Sequence, residues 1–320
     1  MIEYALRRLG YGVMVILLVT VLVFLLMRLL PGDVVAILMQ NGANVTAEQA
    51  RRMEAEFGLD DPVWVQFTDW LAHAVRGDLG RSFYTDEPVT GMFAERVPVT
   101  LELTLLSFAV ATVVGIAFGV VSAVKRGRSV DAAVRITAVA GLSVPNFVVA
   151  TLFLTFFALW FSWSPPLVYK GPTEDLRSHL EQMAMPAIAL GIASLAGLTR
   201  LTRSAMLEAL GSNFIRAVRA RGVRESVVHV KHALRNASIP VLTLVGGYLA
   251  TILGGTVILE SMFSIDGTGQ LLYKAVQQRD YPVVVSCTIF YAAVYVFVIV
   301  LVDLMYAVLD PRIRYGRSKA

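Results

Sequence analysis

Six stretches of this chain, at 9–27, 103–124, 136–169, 183–199, 237–259 and 282–302, carry no charged side chain. A helix needs about 20 mostly apolar residues to cross about 30 Å of hydrocarbon at about 1.5 Å per residue, so each stretch can supply a span. With 56% of residues hydrophobic and only 16% charged, the chain also lies outside the range of ordinary soluble domains. The fold expected is all-α: a polytopic membrane protein of six transmembrane helices.

Two stretches depart from a simple span. The fourth is the shortest and carries Pro186, Gly191 and Gly197, with Arg200 and Arg203 placed to snorkel to the interface at its end. The third is too long for one straight crossing, and its exit is expected near Trp160 to Trp163, ahead of Pro165 and Pro166.

Charge sets the orientation. Positions 200–235 hold eight Arg or Lys against Glu208 and Glu225, and Lys125, Arg126 and Arg128 crowd the turn between the second and third stretches. Arg7 and Arg8 precede the first stretch, and Arg312, Arg314, Arg317 and Lys319 follow the last. With six spans all four clusters fall on one side, which the positive-inside rule makes cytoplasmic, with both termini inside. Positions 31–99 carry eleven acids and five bases, a net charge of −6, and are expected outside. The first stretch is too long for the apolar core of a signal peptide and leads into Arg28-Leu-Leu-Pro-Gly-Asp33 rather than a small-residue cleavage site, so it reads as a retained helix. Cys287 is the sole cysteine, which excludes an intrachain disulfide and indicates no redox role.

The outer segment has its own helical signals. Thr46-Ala-Glu-Gln49 fits a capping box, followed by Ala50, Met53 and Phe57 on one face before Gly58. A second helix is expected from Asp61-Pro62, with Val63, Phe67, Trp70, Leu71 and Ala74 on one face. Such apolar faces usually bury against their own chain; an external partner or a gate is the alternative.

The basic stretch at 208–235, EALGSNFIRAVRARGVRESVVHVKHALR, presents a helical face of Leu207, Leu210, Phe214, Ala217, Val218 and Arg221, then Gly222 where a helix can stop. Arginines that set topology explain part of it. An apolar stripe on a short cytoplasmic helix needs something to cover it, and residue physics leaves surface helix and partner contact both open.

Here Phe214-Ile-Arg-Ala-Val-Arg-Ala-Arg-Gly-Val223, followed by His232-Ala-Leu-Arg-Asn-Ala-Ser-Ile-Pro240, resembles the cytoplasmic EAA-type loop of ABC importer permeases of the dipeptide, oligopeptide and nickel uptake family. Arg28-Leu-Leu-Pro-Gly-Asp33, Gly58-Leu-Asp-Asp-Pro-Val-Trp-Val-Gln66, Gly77-Asp-Leu-Gly-Arg-Ser-Phe83, Arg96-Val-Pro-Val-Thr-Leu-Glu-Leu103, Arg279-Asp-Tyr-Pro282 and Asp310-Pro-Arg312 resemble the same family, so the likeness runs through the whole chain. The ending of the first stretch and the long segment after it are more like the first of the two paired permeases. Val218 stands where the family usually keeps a small residue, and Ser264-Ile-Asp-Gly-Thr-Gly269 replaces a Pro-Gly-Leu-Gly turn.

The resemblance implies a type I importer permease fold over 1–320, an extracytoplasmic helical segment at 31–99 and a coupling loop at 200–236. It implies as partners a second homologous permease, two cytoplasmic ABC ATPases, an extracytoplasmic substrate-binding protein and the lipid bilayer, with no nucleic acid. It assigns Phe214, Arg216, Ala217, Val218, Arg219, Ala220, Arg221, Gly222, Val223, His232 and Arg235 to ATPase coupling, with short peptides as cargo and nickel complexes or another small solute as alternatives.

Reactive chemistry is not legible. No lysine follows a glycine, so a phosphate loop is absent from this chain; ATP and magnesium are expected on partner subunits, and no catalytic, cofactor or metal residue is assigned here. His229 and His232 share a helical spacing but read as structural or partner contacts, without Cys or carboxylate companions. Arg28, Glu102, Glu260 and Asp303 sit towards span ends, and nearly charge-free centres disfavour the competing class, an ion-coupled carrier or channel. Ser143, Pro145 and Asn146 place a helix breaker beside an amide at membrane depth, either a plain kink or a pathway lining. Thr251 and Gly255, among the glycines and threonines of the fifth stretch, suit a pairing or pathway helix.

Overall fold

A computed structural model describes residues 2–29, 47–56 and 58–309. Thr46 of the capping box, Phe57, positions 30–33 and the basic cluster at 312–319 lie outside the described residues. The described residues form helices α1 (Ile2–Leu29), α2 (Ala47–Glu56), α3 (Val63–Ala74), α4 (Val89–Val124), α5 (Ser129–Ser143), α6 (Asn146–Phe161), α7 (Leu176–Gly211), α8 (Asn213–Ala220), the single turn α9 (Glu225–Val227), α10 (Leu234–Met262), α11 (Thr268–Gln278) and α12 (Tyr281–Leu309). A π-helical turn, Val228–Ala233, joins α9 to α10.

Among the described residues five helices, α1, α4, α7, α10 and α12, are long and apolar enough to cross a membrane, and α5 with α6 makes a sixth crossing if the bent pair is one span. That pair turns through 105°. The sequence places a kink at Pro145; the chain instead breaks into two helices there. Val144, before the proline, takes extended angles (φ −105°, ψ 123°), the region into which the proline ring pushes its predecessor, and Pro145 caps α6. The short fourth stretch is the middle of a longer candidate span: α7 runs 36 residues and continues through Pro186. Pro186 is buried, and a proline in a helix interior is tolerated where neighbouring helices absorb the lost hydrogen bond.

The chain divides into two compact units, residues 1–100 with 266–297 and residues 101–265 with 298–320. In the first, α3 starts as the sequence predicts, with the amides of Val65 and Gln66 bonded to the Pro62 carbonyl. Phe67, Trp70, Leu71 and Ala74 are half-buried while Val63 is exposed, and Phe67 meets Phe24 of α1 edge-on at 5.2 Å. Val89, Phe93, Leu271, Tyr281 and Cys287 form the core of this unit. Two of the quoted motifs close on each other here: Asp280 accepts from the hydroxyl of Ser82 and, at 3.2 Å, from the amide of Phe83. Burial pushes the Asp280 carboxyl above its usual range, against these bonds. The replaced turn is held within the same unit, Asp266 by Arg96 at 3.1 Å and Thr268 by Thr100 at 2.7 Å.

In the second unit α7 is the packed centre, and glycines bring its neighbours close. A side chain carbon at Gly119 of α4 would sit 2.8 Å from the Thr199 carbonyl, and one at Gly191 of α7 would sit 3.0 Å from that of Ser107. Backbone-to-backbone approach of this kind uses small residues where lipid supplies no hydrophobic drive between helices.

Candidate functional site

α7 ends at Gly211, and Ser212 turns the chain before α8, its hydroxyl accepting from the Ile215 amide at 3.3 Å. A Ser at this position satisfies one of the donors a helix start leaves unpaired. The sequence reading joins Leu207 and Leu210 to Phe214 on one helix; the Ser212 cap separates them, because a hydroxyl bonded to the following backbone competes with helix continuation. α8 is fixed by Ile215, which is fully buried. Phe214 and Ala217 are exposed, Val218 is half-buried, and Phe214 meets the half-buried His232 edge-on at 6.0 Å.

After Ala220 the helix closes with the amides of Arg221 and Gly222 bonded to the carbonyls of Val218 and Arg219. Gly222 sits at φ +74° with open space around it, so only its backbone freedom is used. The arginines differ in state. Arg219 grips Glu225 through two nitrogens at 2.8 and 3.1 Å, Arg216 bonds Asn213, and Arg221 and Arg235 are exposed. Arg219 holds the Glu225 carboxyl below the ordinary carboxylate range. Glu225 also lies 3.1 Å from His229, so that histidine has the carboxylate neighbour the sequence did not reveal; the i, i+4 spacing was the available signal. Val223 is half-buried and Ala220 exposed. Ala205, Glu208, Ala209, Phe214, Ala237 and Pro240 are among the lining of a recess of about 460 Å³ beside α8.

Of the pathway residues, two come together. The Asn146 amide lies 3.1 Å from where a side chain at Gly255 would begin, at the start of α6 against α10. Ser143 is exposed and bonds back to the Val139 carbonyl at 2.9 Å, and Pro145 is exposed. Thr251 points elsewhere: with Thr243, Gly247 and Gly254 it forms an exposed stripe along α10. That face is polar and small for a helix in lipid, which is what a partner helix or a solute route would require.

Among the polar centres that sequence reasoning missed is the one around Asp131. Arg203 does not snorkel; its guanidinium makes two bonds, 2.8 and 3.1 Å, to the buried carboxylate of Asp131, which also accepts from Ser122 at 2.6 Å and from the Gly127 amide at 3.0 Å. Three separate segments supply these groups, and no spacing rule links positions so far apart.

The chain matches the family described as binding-protein-dependent transport system inner membrane component over residues 115–315, and the N-terminal part of that membrane component over residues 1–104. A Brucella abortus (strain 2308) protein named as a peptide transport system permease is 40% identical over 310 residues, covering 97% of this chain and 98% of the relative. The dipeptide transport system permease protein DppB of Lactococcus lactis subsp. cremoris is 35% identical over 315 residues, covering 98% and 100%. Among solved structures the inward-facing MetNI methionine ABC transporter is similar in fold, with a TM-score of 0.50 and 22% identity over 70% of this chain and 95% of that chain. The chain therefore belongs to the binding-protein-dependent transport system inner-membrane components: it is a multi-pass permease subunit of an ABC importer, working with that transporter's other subunits.

Proposed function

We propose that this permease carries short peptides and is the first of two paired permeases that together form the route. Peptide cargo is supported by the names of full-length relatives, one of them a dipeptide permease. The observation that carries the coupling reading is α8: a short helix anchored by one buried residue, Ile215, while the neighbouring Phe214 and Ala217 face outward beside exposed arginines. In this reading Phe214, Ala217 and Val218 dock in a groove on one of two cytoplasmic ATPases, and Arg216 and Arg221 set the register by charge. Arg219 braces the turn through Glu225, and Gly222 lets the chain reverse. ATP and magnesium belong to the ATPases, and an extracytoplasmic binding protein delivers the peptide to the side carrying residues 31–99, both termini being cytoplasmic. Ser143, Pro145, Asn146, Thr251 and Gly255 flank the route, and the α5–α6 break is where it changes shape.

The test is Gly222→Val in the complex purified from its own membrane. A β-branched residue is strained at φ +74°, so ATP hydrolysis should continue while uptake of an alanyl-alanine probe falls. Wild-type uptake with wild-type hydrolysis would remove the docking reading. Wild-type uptake by this chain alone without ATP would favour a stand-alone carrier.

A further inference from the structure

The centre around Asp131 joins three helices at the end of the second unit that leads into α8. Ser122 lies in the last turn of α4, Gly127 in the following turn, Asp131 in the first turn of α5 and Arg203 two turns before the end of α7. Asp131 is 2% exposed, and its two oxygens take four bonds from these three segments. Arg135, one turn along α5, adds a cation at 3.6 Å. A planar guanidinium held at two points fixes angle as well as distance, which a surface ion pair does not.

The same three helices are packed tightly away from that centre. A side chain carbon at Gly115 would lie 3.0 Å from the Leu195 carbonyl, and one at Gly119 would lie 2.5 Å from Thr202. On α5, the corresponding position at Gly141 is 3.4 Å from the side chains of Ala196 and Ile192. One helical turn after Arg203 come Leu207 and then, past Ser212, α8 itself; one residue beyond the end of α5 comes the 105° break.

We infer that Asp131 and Arg203 are positioning residues that make α5 move with α7 and the adjoining part of α4, so that a displacement of α8 is delivered undiminished to the α5–α6 break. Neither residue touches the transported solute. The direction of the motion rests on α8 being the ATPase-docking helix, whereas the rigidity of the three helices does not. Cleaving the Asp131–Arg203 bond leaves α7 free to follow α8 while α5 lags, so hydrolysis proceeds with less transport per ATP.

The test uses the complex purified from its own membrane and reconstituted in liposomes, with Cys287→Ala as background. Cysteines replacing Gly141 and Ala196 place their β-carbons about 3.4 Å apart, close to the separation of about 3.5 to 4.5 Å that a disulfide spans. If α5 and α7 move together, this bridge forms equally in nucleotide-free and ATP-trapped complexes, and the bridged complex still takes up alanyl-alanine. Asp131→Asn should lower peptide carried per ATP hydrolysed by about tenfold, and the bridge should restore it, which a merely destabilised protein would not show. Arg203→Lys, which keeps the charge but loses the two-point grip, should give a smaller loss and serves if Asp131→Asn does not assemble. A bridge that forms in one nucleotide state only, or that stops uptake, overturns the inference, as does an Asp131→Asn complex with wild-type coupling. If the wild-type complex carries no alanyl-alanine, the peptide reading fails by itself, and the comparison of bridging between nucleotide states decides the inference.

Discussion

Phe214 and Ile215 are adjacent in sequence and opposite in environment, and this separates docking from folding. Phe214 is 52% exposed and Ile215 is fully buried. A phenylalanine side chain offers about 200 Å² of apolar surface when wholly covered. Covering the exposed half of Phe214 against a partner groove removes about 100 Å² from water, worth about 2 to 3 kcal/mol at about 25 cal/mol per Å². Phe214→Ala should therefore weaken ATPase association by roughly 30- to 150-fold and lower the thermal stability of the isolated permease less than Ile215→Ala does, since only about half of the Phe214 side chain packs inside it. Ile215→Ala should do the reverse first: loss of a fully buried aliphatic side chain costs about 2 to 5 kcal/mol locally and frees α8 from its seat. The assay pairs retention of the co-purifying ATPase on the tagged permease with melting followed by tryptophan fluorescence in detergent. A Phe214→Ala permease that holds the ATPase as tightly as wild type would refute the docking geometry.

Other expectations follow from single contacts. Gly119→Ala puts a methyl group 2.8 Å from the Thr199 carbonyl, where backbone cannot yield cheaply, and should cost about 1 to 3 kcal/mol, read as a lowered melting temperature. Asp280→Ala strips the acceptor from the Ser82 hydroxyl and the Phe83 amide, and each buried donor left unpaired costs about 1 to 3 kcal/mol; proteolysis of the segment at 77–88 should become faster. Glu225, held below the ordinary carboxylate range by Arg219, contributes its brace above the unfolded carboxylate pKa and loses it as pH falls through the lower folded value. Protection of the amides at 221–224, taken against their intrinsic exchange rate at each pH, should thus be high at neutral pH and fall in acid, and Glu225→Gln should show the lower protection already at neutral pH; equal protection in both proteins would rule the brace out.

Much of the architecture is legible in the chain because lipid imposes a simple demand. Uncharged runs of span length give five of the crossings directly, and Pro62 and Gly222 mark turns through their own backbone limits. What misleads is proline inside apolar runs. Pro145 breaks a helix pair through 105°, whereas Pro186 is absorbed in a continuous 36-residue helix. The two differ in what surrounds them: Pro186 is buried within α7's packing and Pro145 is exposed, a difference no local pattern encodes.

The candidate site divides along the same line. Amphipathic spacing and the quoted motifs mark out the segment proposed for coupling, but Ile215 rather than Phe214 is its anchor, because the Ser212 cap turns α8 away from the end of α7. Span number and the absence of a phosphate loop come from composition and order along the chain, where each residue acts through its own chemistry. The Asp131–Arg203 bond, the Ser82–Asp280 closure and the meeting of Asn146 with Gly255 join positions 72, 198 and 109 residues apart. Their partners are chosen by how helices pack, and a one-dimensional pattern carries no term for that.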